Sequence, residues 1–138
     1  MIVVDTSGLL AVLDDSERLH SAALTALERE KGPRLLSPFV LAEMDFLIAE
    51  RSRKAEIALL GEVGRGVYQL EPFGNDDLRV ATQLVERYED LGIGLADASI
   101  VVLAARWGTD RVLTLDERHF RVVRPLRGNA FTILPADA

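Results

Sequence analysis

The sequence predicts a three-layer α/β/α domain with a central, mainly parallel sheet of about five strands. Three observations carry this reading. Short apolar runs recur at 2–5, 34–36, 67–71, 111–115 and 131–134. Helical patterns with start and stop signals separate them. The first run, "IVV", is apolar without alternation, as expected of a strand covered on both faces. Strands separated by helices pair in parallel and need helices on both sides of the sheet. A chain of 138 residues suits one such domain, spanning 1–138.

Each element has a local reason. "TSGLLAVLD" follows the first strand as a helix. In "DSERLHSAALTALEREK" (15–31), Leu19, Ala23 and Leu27 form one helical stripe, which Gly32-Pro33 stops. After "RLL", Ser37 is an N-cap and Pro38 the first helical residue of "PFVLAEMDFLIAER". Ser52 caps a further helix reaching about Gly64. "VYQLE" reads as a strand, and Asn75 as the cap of "DDLRVATQLVERYED", with two acids where the helix dipole favours them. "LADASIVVLAARW" is a helix ended by Gly108, and "RVLTL" and "FTIL" are the last strands.

Composition narrows the function classes. The chain is 49% hydrophobic, too apolar for disorder, and has no cysteine, which removes disulfides and thiolate metal sites. The amino terminus lacks a basic n-region, and no uncharged apolar run reaches the roughly 18–20 residues of a membrane span, so a soluble cytoplasmic protein is expected. The net charge of −6 argues against a generic nucleic-acid binder. Arginine nevertheless gathers near the carboxyl end, at Arg106, Arg111, Arg118, Arg121, Arg124 and Arg127.

Four acids stand where a carboxylate is costly unless paired or metal-bound. Asp5 ends the first strand. Glu43 lies among Phe39, Val40, Phe46 and Leu47 at helical spacing. Asp97 lies among Ile93, Gly94, Ile100 and Val101 in "IGLADASIVVLA". Asp116 follows "RVLTL". Open parallel sheets bind ligands beyond the carboxyl ends of their strands, near the point where strand order reverses, and all four acids belong to that edge. Four converging carboxylates need a compensating charge. Oxygen ligands without cysteine point to a hard divalent ion, Mg²⁺ or Mn²⁺. Locally each acid also has a plain reading, as a cap, a turn residue or an arginine partner. Asp45 lies about 200° around the helix from Glu43 and is expected to pair with an arginine. Ser99 is expected to be a small packing residue.

The stretches "VVDTSGLLAVLD", "SPFVLAEMDFLIAER", "IGLADASIVVLAARW" and "VLTLDERHF" resemble, in order and over nearly the whole chain, the PIN-domain ribonucleases. They are most similar to the VapC toxins of bacterial toxin–antitoxin modules. The resemblance implies a parallel sheet with helices on both faces. It implies a catalytic, metal-binding quartet at Asp5, Glu43, Asp97 and Asp116, the last at the family's most variable position. It implies a Mg²⁺- or Mn²⁺-dependent endoribonuclease that hydrolyses phosphodiester bonds in RNA such as tRNA or rRNA and so arrests translation. The hydroxyl after the first acid matches Thr6, and Thr6 or Thr114 would position a water or phosphate. Arg106, Arg118 and Arg121 would lead the RNA backbone past the acidic rim. His119 reads as a surface or capping residue. The family further implies a cognate VapB-type antitoxin and a homodimer. The apolar segments "SAALTALE", "VLAEMDFLI" and "IALLGEV" offer a groove for either partner.

Other readings fit less well. A haloacid-dehalogenase phosphatase needs a second acid at position 7, which is serine, and a lysine near the site, whereas the only lysines are Lys31 and Lys54. A receiver domain needs an acid pair by the first strand, a phosphoacceptor after the third and a strand-end lysine, and "VYQLEPFG" offers only Glu71. No GxxxxGK loop or GxSxG elbow occurs, and "GIGLAD" follows no strand. The remaining alternatives are an acidic docking module for a basic peptide, and a PIN-type nuclease of RNA processing rather than a toxin.

Overall fold

The computed structural model describes all residues, Met1–Ala138. Five parallel strands form one sheet in the order β3-β2-β1-β4-β5. They are β1 (Ile2–Val4), β2 (Arg34–Leu36), β3 (Gln69–Leu70), β4 (Arg111–Leu113) and β5 (Thr132–Leu134). The helices are α1 (Thr6–Leu13), α2 (His20–Arg29), α3 (Pro38–Ala49), α4 (Arg53–Gly64), α5 (Asn75–Arg87), α6 (Leu95–Trp107) and α7 (Glu117–Phe120), with a 3₁₀ turn at Glu89–Leu91. All three residues of β1 are fully buried. Successive side chains of a strand point to opposite faces, so both faces of the sheet are covered. None of the helices is long and apolar enough to cross a membrane.

The chain adds β2 and β3 on one side of β1 and β4 and β5 on the other. The reversal of strand order therefore lies between β1 and β4. The Asp5 N–H donates to Leu113 O at 2.9 Å, continuing that pairing one residue past β1. Gly8 of α1 lets the helix close down on β4. A Cβ there would meet Leu113 O at 2.3 Å, and the approach brings the start of α1 against the end of β4.

Several predicted boundaries move. α2 begins at His20, not near residue 15, because Asp14 Oδ1 accepts from Ser16 N (3.0 Å) and Oγ (2.6 Å) and holds the segment in a turn. The cap of α5 is Gly74 rather than Asn75, and its N–H donates to Asp77 Oδ2 at 2.9 Å. β3 and β4 are shorter than "VYQLE" and "RVLTL". Ser37 and Ser52 cap α3 and α4 as expected, accepting from Phe39 N and Ala55 N. Gly108 ends α6 at φ +67, a left-handed conformation that favours glycine. Ser99 is more than a packing residue. Its hydroxyl donates to Ala96 O and lies 2.6 Å from Ser37 Oγ, tying α6 to the start of α3.

Candidate active site

The four predicted acids line one cleft of about 610 Å³, together with Thr6, Ser7 and His119. Each is delivered by a different element. Asp5 leaves β1, Glu43 stands on α3, Asp97 in the first turn of α6, and Asp116 caps α7.

Asp5 is the most enclosed, only 6% exposed. Thr114, itself buried at the end of β4, donates its hydroxyl to Asp5 Oδ2 at 2.7 Å. Since that proton is committed, Ser7 Oγ, 3.1 Å from Thr114 Oγ1 and 3.4 Å from Asp5 Oδ2, is the donor toward them. Ser7 Oγ in turn accepts from Leu115 N at 2.9 Å, and Thr114 Oγ1 accepts from Asp116 N at 2.9 Å. A chain of hydroxyls thus fixes Asp5 and the Asp116 backbone together. Burial pushes the Asp5 carboxyl up to about 6, against the opposing hydrogen bond from Thr114. The predicted role of Thr114 changes accordingly, because it orients a carboxylate rather than facing the cleft. Thr6 does line the cleft, and its hydroxyl is buried without any partner.

Asp97 Oδ2 accepts from Gly94 N at 3.3 Å, which closes the first turn of α6. Burial raises its carboxyl above the usual range, and the charges of Asp116 and Glu43 add to the rise. Asp116 Oδ1 accepts from His119 N at 3.0 Å, capping α7. That cap turns the His119 ring inward. Its Nδ1 lies 2.8 Å from Asp116 Oδ2 and 3.4 Å from Asp97 Oδ2. His119 therefore belongs to the cleft, contrary to the expectation of a surface or capping residue. One oxygen of Asp97, one of Asp116 and one ring nitrogen of His119 all fall within 4.8 Å of each other, a set able to hold a metal ion.

Glu43 reaches the cleft from a different setting than expected. It is exposed, and only part of its supposed apolar shield is buried: Val40 is, whereas Phe46 is 66% and Leu47 37% exposed. Asp45 does not pair with an arginine. Its Oδ1 is buried with no aligned hydrogen bond. It faces the buried Glu56, whose carboxyl is raised chiefly by that contact and held on its other side by Arg53 at 2.6 Å.

The arginines separate. Arg106 lies nine residues after Asp97, about 13 Å along the helix. It is bound to Asp77 (2.9 Å), Glu71 (3.3 Å) and Pro72 O. Trp107 also donates to Glu71. Arg121 is forked between Glu117 and Asp137 at 2.9 and 2.7 Å. The predicted track past the rim is thus reduced, because two of its three guanidinium groups are neutralised within the protein. Arg118, beside His119 on α7, is exposed and forms no ion pair.

The family profile of the PIN domain matches residues 2–125. Ribonuclease VapC26 of Mycobacterium tuberculosis is 41% identical over 97% of this chain and 100% of its own length. The chain belongs to the PIN-domain family, in its VapC branch. Two solved structures agree with this VapC-type fold. The M. tuberculosis VapC20 toxin, described as cleaving the sarcin–ricin loop, superposes with a TM-score of 0.79 at 20% identity, covering 93% of this chain and all of the other. FitAcB from Neisseria gonorrhoeae gives 0.60 at 19% identity, covering 78% and 83%. At that identity both speak for the fold alone. They agree with the five-stranded parallel sheet of this VapC-type chain.

Proposed function

We propose that this VapC-type chain is a Mg²⁺- or Mn²⁺-dependent endoribonuclease acting as the toxin of a toxin–antitoxin pair, with RNA such as tRNA or rRNA as its target. The observation that carries the proposal is the convergence of Asp5, Glu43, Asp97 and Asp116 on one cleft at the reversal of strand order. The ribonuclease relative at 41% identity supports the same reading.

The donor set fits a divalent cation. The acids are oxygen ligands, and the orphaned Thr6 hydroxyl offers a donor or acceptor beside them. Asp5, Glu43, Asp97 and Asp116 would hold the ion. Once bound, it supplies charge neutralisation at a phosphate and acidifies water at neutral pH. The protein's own part is positional. Thr114 and Ser7 hold the Asp5 carboxylate, and the Gly94 N–H holds Asp97. Thr6 is placed to donate to a phosphate oxygen or orient a water. Arg118 supplies a phosphate contact, which gives affinity without sequence information.

A partner site adjoins the cleft. A groove of about 340 Å³ runs between the end of α1 and the α3–α4 pair, lined by Leu13, Leu47, Ile48 and Leu59, and Leu10 lines both groove and cleft. An antitoxin helix lying there would deliver a basic tail into an acidic site. Exposed Phe46 and Ile57 on the same pair of helices support a homodimer. One sheet and one core cluster support a single domain, and an RNA target supports a cytoplasmic location.

The purified chain should cleave single-stranded RNA with Mg²⁺ or Mn²⁺, and not with EDTA. Asp97→Asn should abolish cleavage while the chain stays folded. Cleavage that survives chelation, or is unchanged in the variant, would overturn the reading. A folded chain that cleaves no RNA but binds basic peptides would favour the docking module.

A further inference from the structure

We propose that His119 Nδ1 is a direct ligand of the divalent cation, which makes the cleft a mixed nitrogen–oxygen site and biases it toward Mn²⁺ over Mg²⁺. The inference rests on the cleft being a cation site, as proposed above.

The ring is held in place from behind. Asp116 Oδ1 is taken up by the His119 N–H, so Oδ2 is the oxygen left facing the ring. The Nδ1 atom is buried and makes no aligned hydrogen bond, although two carboxylate oxygens lie within 3.4 Å. A protonated nitrogen forming an ordinary ion pair would aim its N–H at one of them. Here the in-plane direction, along which the atom donates or coordinates, is aimed at neither. One atom each of Asp97, Asp116 and His119 nevertheless falls within 4.8 Å of the others, as around a shared third body.

The separations suit one. Ligands at about 2.1 Å from a six-coordinate ion sit about 3 Å apart at adjacent corners. The two distances from Nδ1, 2.8 and 3.4 Å, bracket that edge. Coordination requires the neutral ring, with its proton on Nε2. A second, independent sign that the cleft takes a ligand is the Thr6 hydroxyl on its wall. Thr6 is only 7% exposed, and its oxygen has no protein partner. An imidazole donor suits first-row transition ions better than Mg²⁺, which prefers oxygen and keeps its waters. The quartet of acids alone would give a weaker preference.

The test uses the full chain loaded with Mn²⁺. Electron spin-echo envelope modulation should show coupling to one ¹⁴N nucleus in the wild type and none in His119→Ala. Calorimetry should show His119→Ala weakening Mn²⁺ binding by about tenfold or more, in keeping with the loss of a metal-positioning group. Mg²⁺ binding should weaken less, so that the Mn²⁺/Mg²⁺ affinity ratio falls. His119→Gln serves as a second variant, and the wild-type spectrum needs none. Mn²⁺ bound without nitrogen coupling overturns the ligand assignment alone. So does unchanged or tighter Mn²⁺ binding in the variants, which would make the ring a cationic partner that the metal displaces. A wild-type chain that binds no Mn²⁺ overturns both this inference and the cation site beneath it.

Discussion

Thr114 donates its hydroxyl to Asp5 Oδ2 at 2.7 Å, joining the ends of two neighbouring strands across 109 residues of chain. The bond aims the most buried carboxylate of the cleft. A hydrogen bond to a charged group contributes about 1.5–3 kcal/mol. Thr114→Val keeps the shape and removes the donor, so RNA cleavage should fall by about 10–100-fold, with Thr114→Ser restoring most of it. A valine variant as active as the wild type would mean that Asp5 is oriented by something else.

Asp5 should also leave a mark on stability. Its carboxyl titrates near 6 in the folded chain and near 3.8 when free. The folded state therefore binds the proton more tightly, and the stabilisation is present below about pH 4 and lost as pH rises through 6. The shift is worth at most about 3 kcal/mol. In EDTA, the stability advantage of Asp5→Asn over wild type should grow between about pH 4 and pH 6 and level off above, as read by urea unfolding at each pH. A flat difference across that window would contradict the burial of a charged Asp5.

Gly8 is a second point where chemistry depends on packing. A methyl group there would enter the Leu113 carbonyl, with contacts of 2.3 Å to the oxygen and 2.6 Å to the carbon. Backbone cannot step aside as a side-chain tip can. Overpacking of this kind costs about 1–3 kcal/mol. Gly8→Ala should lower the melting temperature by at least roughly 3 °C. Activity should fall with it, since α1 carries Thr6 and Ser7 into the cleft.

The arginines should divide by role. Arg118→Ala should raise KM for RNA and make the salt dependence shallower by about one unit of slope, as expected for one lost phosphate contact. Arg106→Ala should leave RNA binding alone and lower the melting temperature, because it strips a partner from the buried Glu71. The opposite pattern would restore the track expected from the linear clustering of arginines.

The alternation of short apolar runs with capped helices was enough to read the architecture, because parallel strands buried on both faces carry a strong local signal. The quartet was legible for a related reason, since an acid beside an apolar run invites an explanation. The supporting residues were not. Ser7 and Thr114 meet across 107 residues and look like ordinary hydroxyls in the chain. His119 enters the cleft only because Asp116 caps a four-residue helix whose pattern is too short to detect. Glu43 was found for an incomplete reason. Apolar neighbours imply a hydrophobic face, and that face here points outward at Phe46 and Leu47. Gly74 caps α5 through its backbone, and a residue without a side chain gives no sign of that role.

The order of the cleft's acids along the chain has a temporal consequence. Asp5 and Asp116 stand 111 residues apart, and the pairing of β1 with β4 that brings them together is strongly non-local. Such contacts form late in folding. A nascent or truncated chain ending before β4 lacks both Thr114 and Asp116. If the cleft cuts RNA, a growing chain is harmless until β4 has been made and has paired with β1.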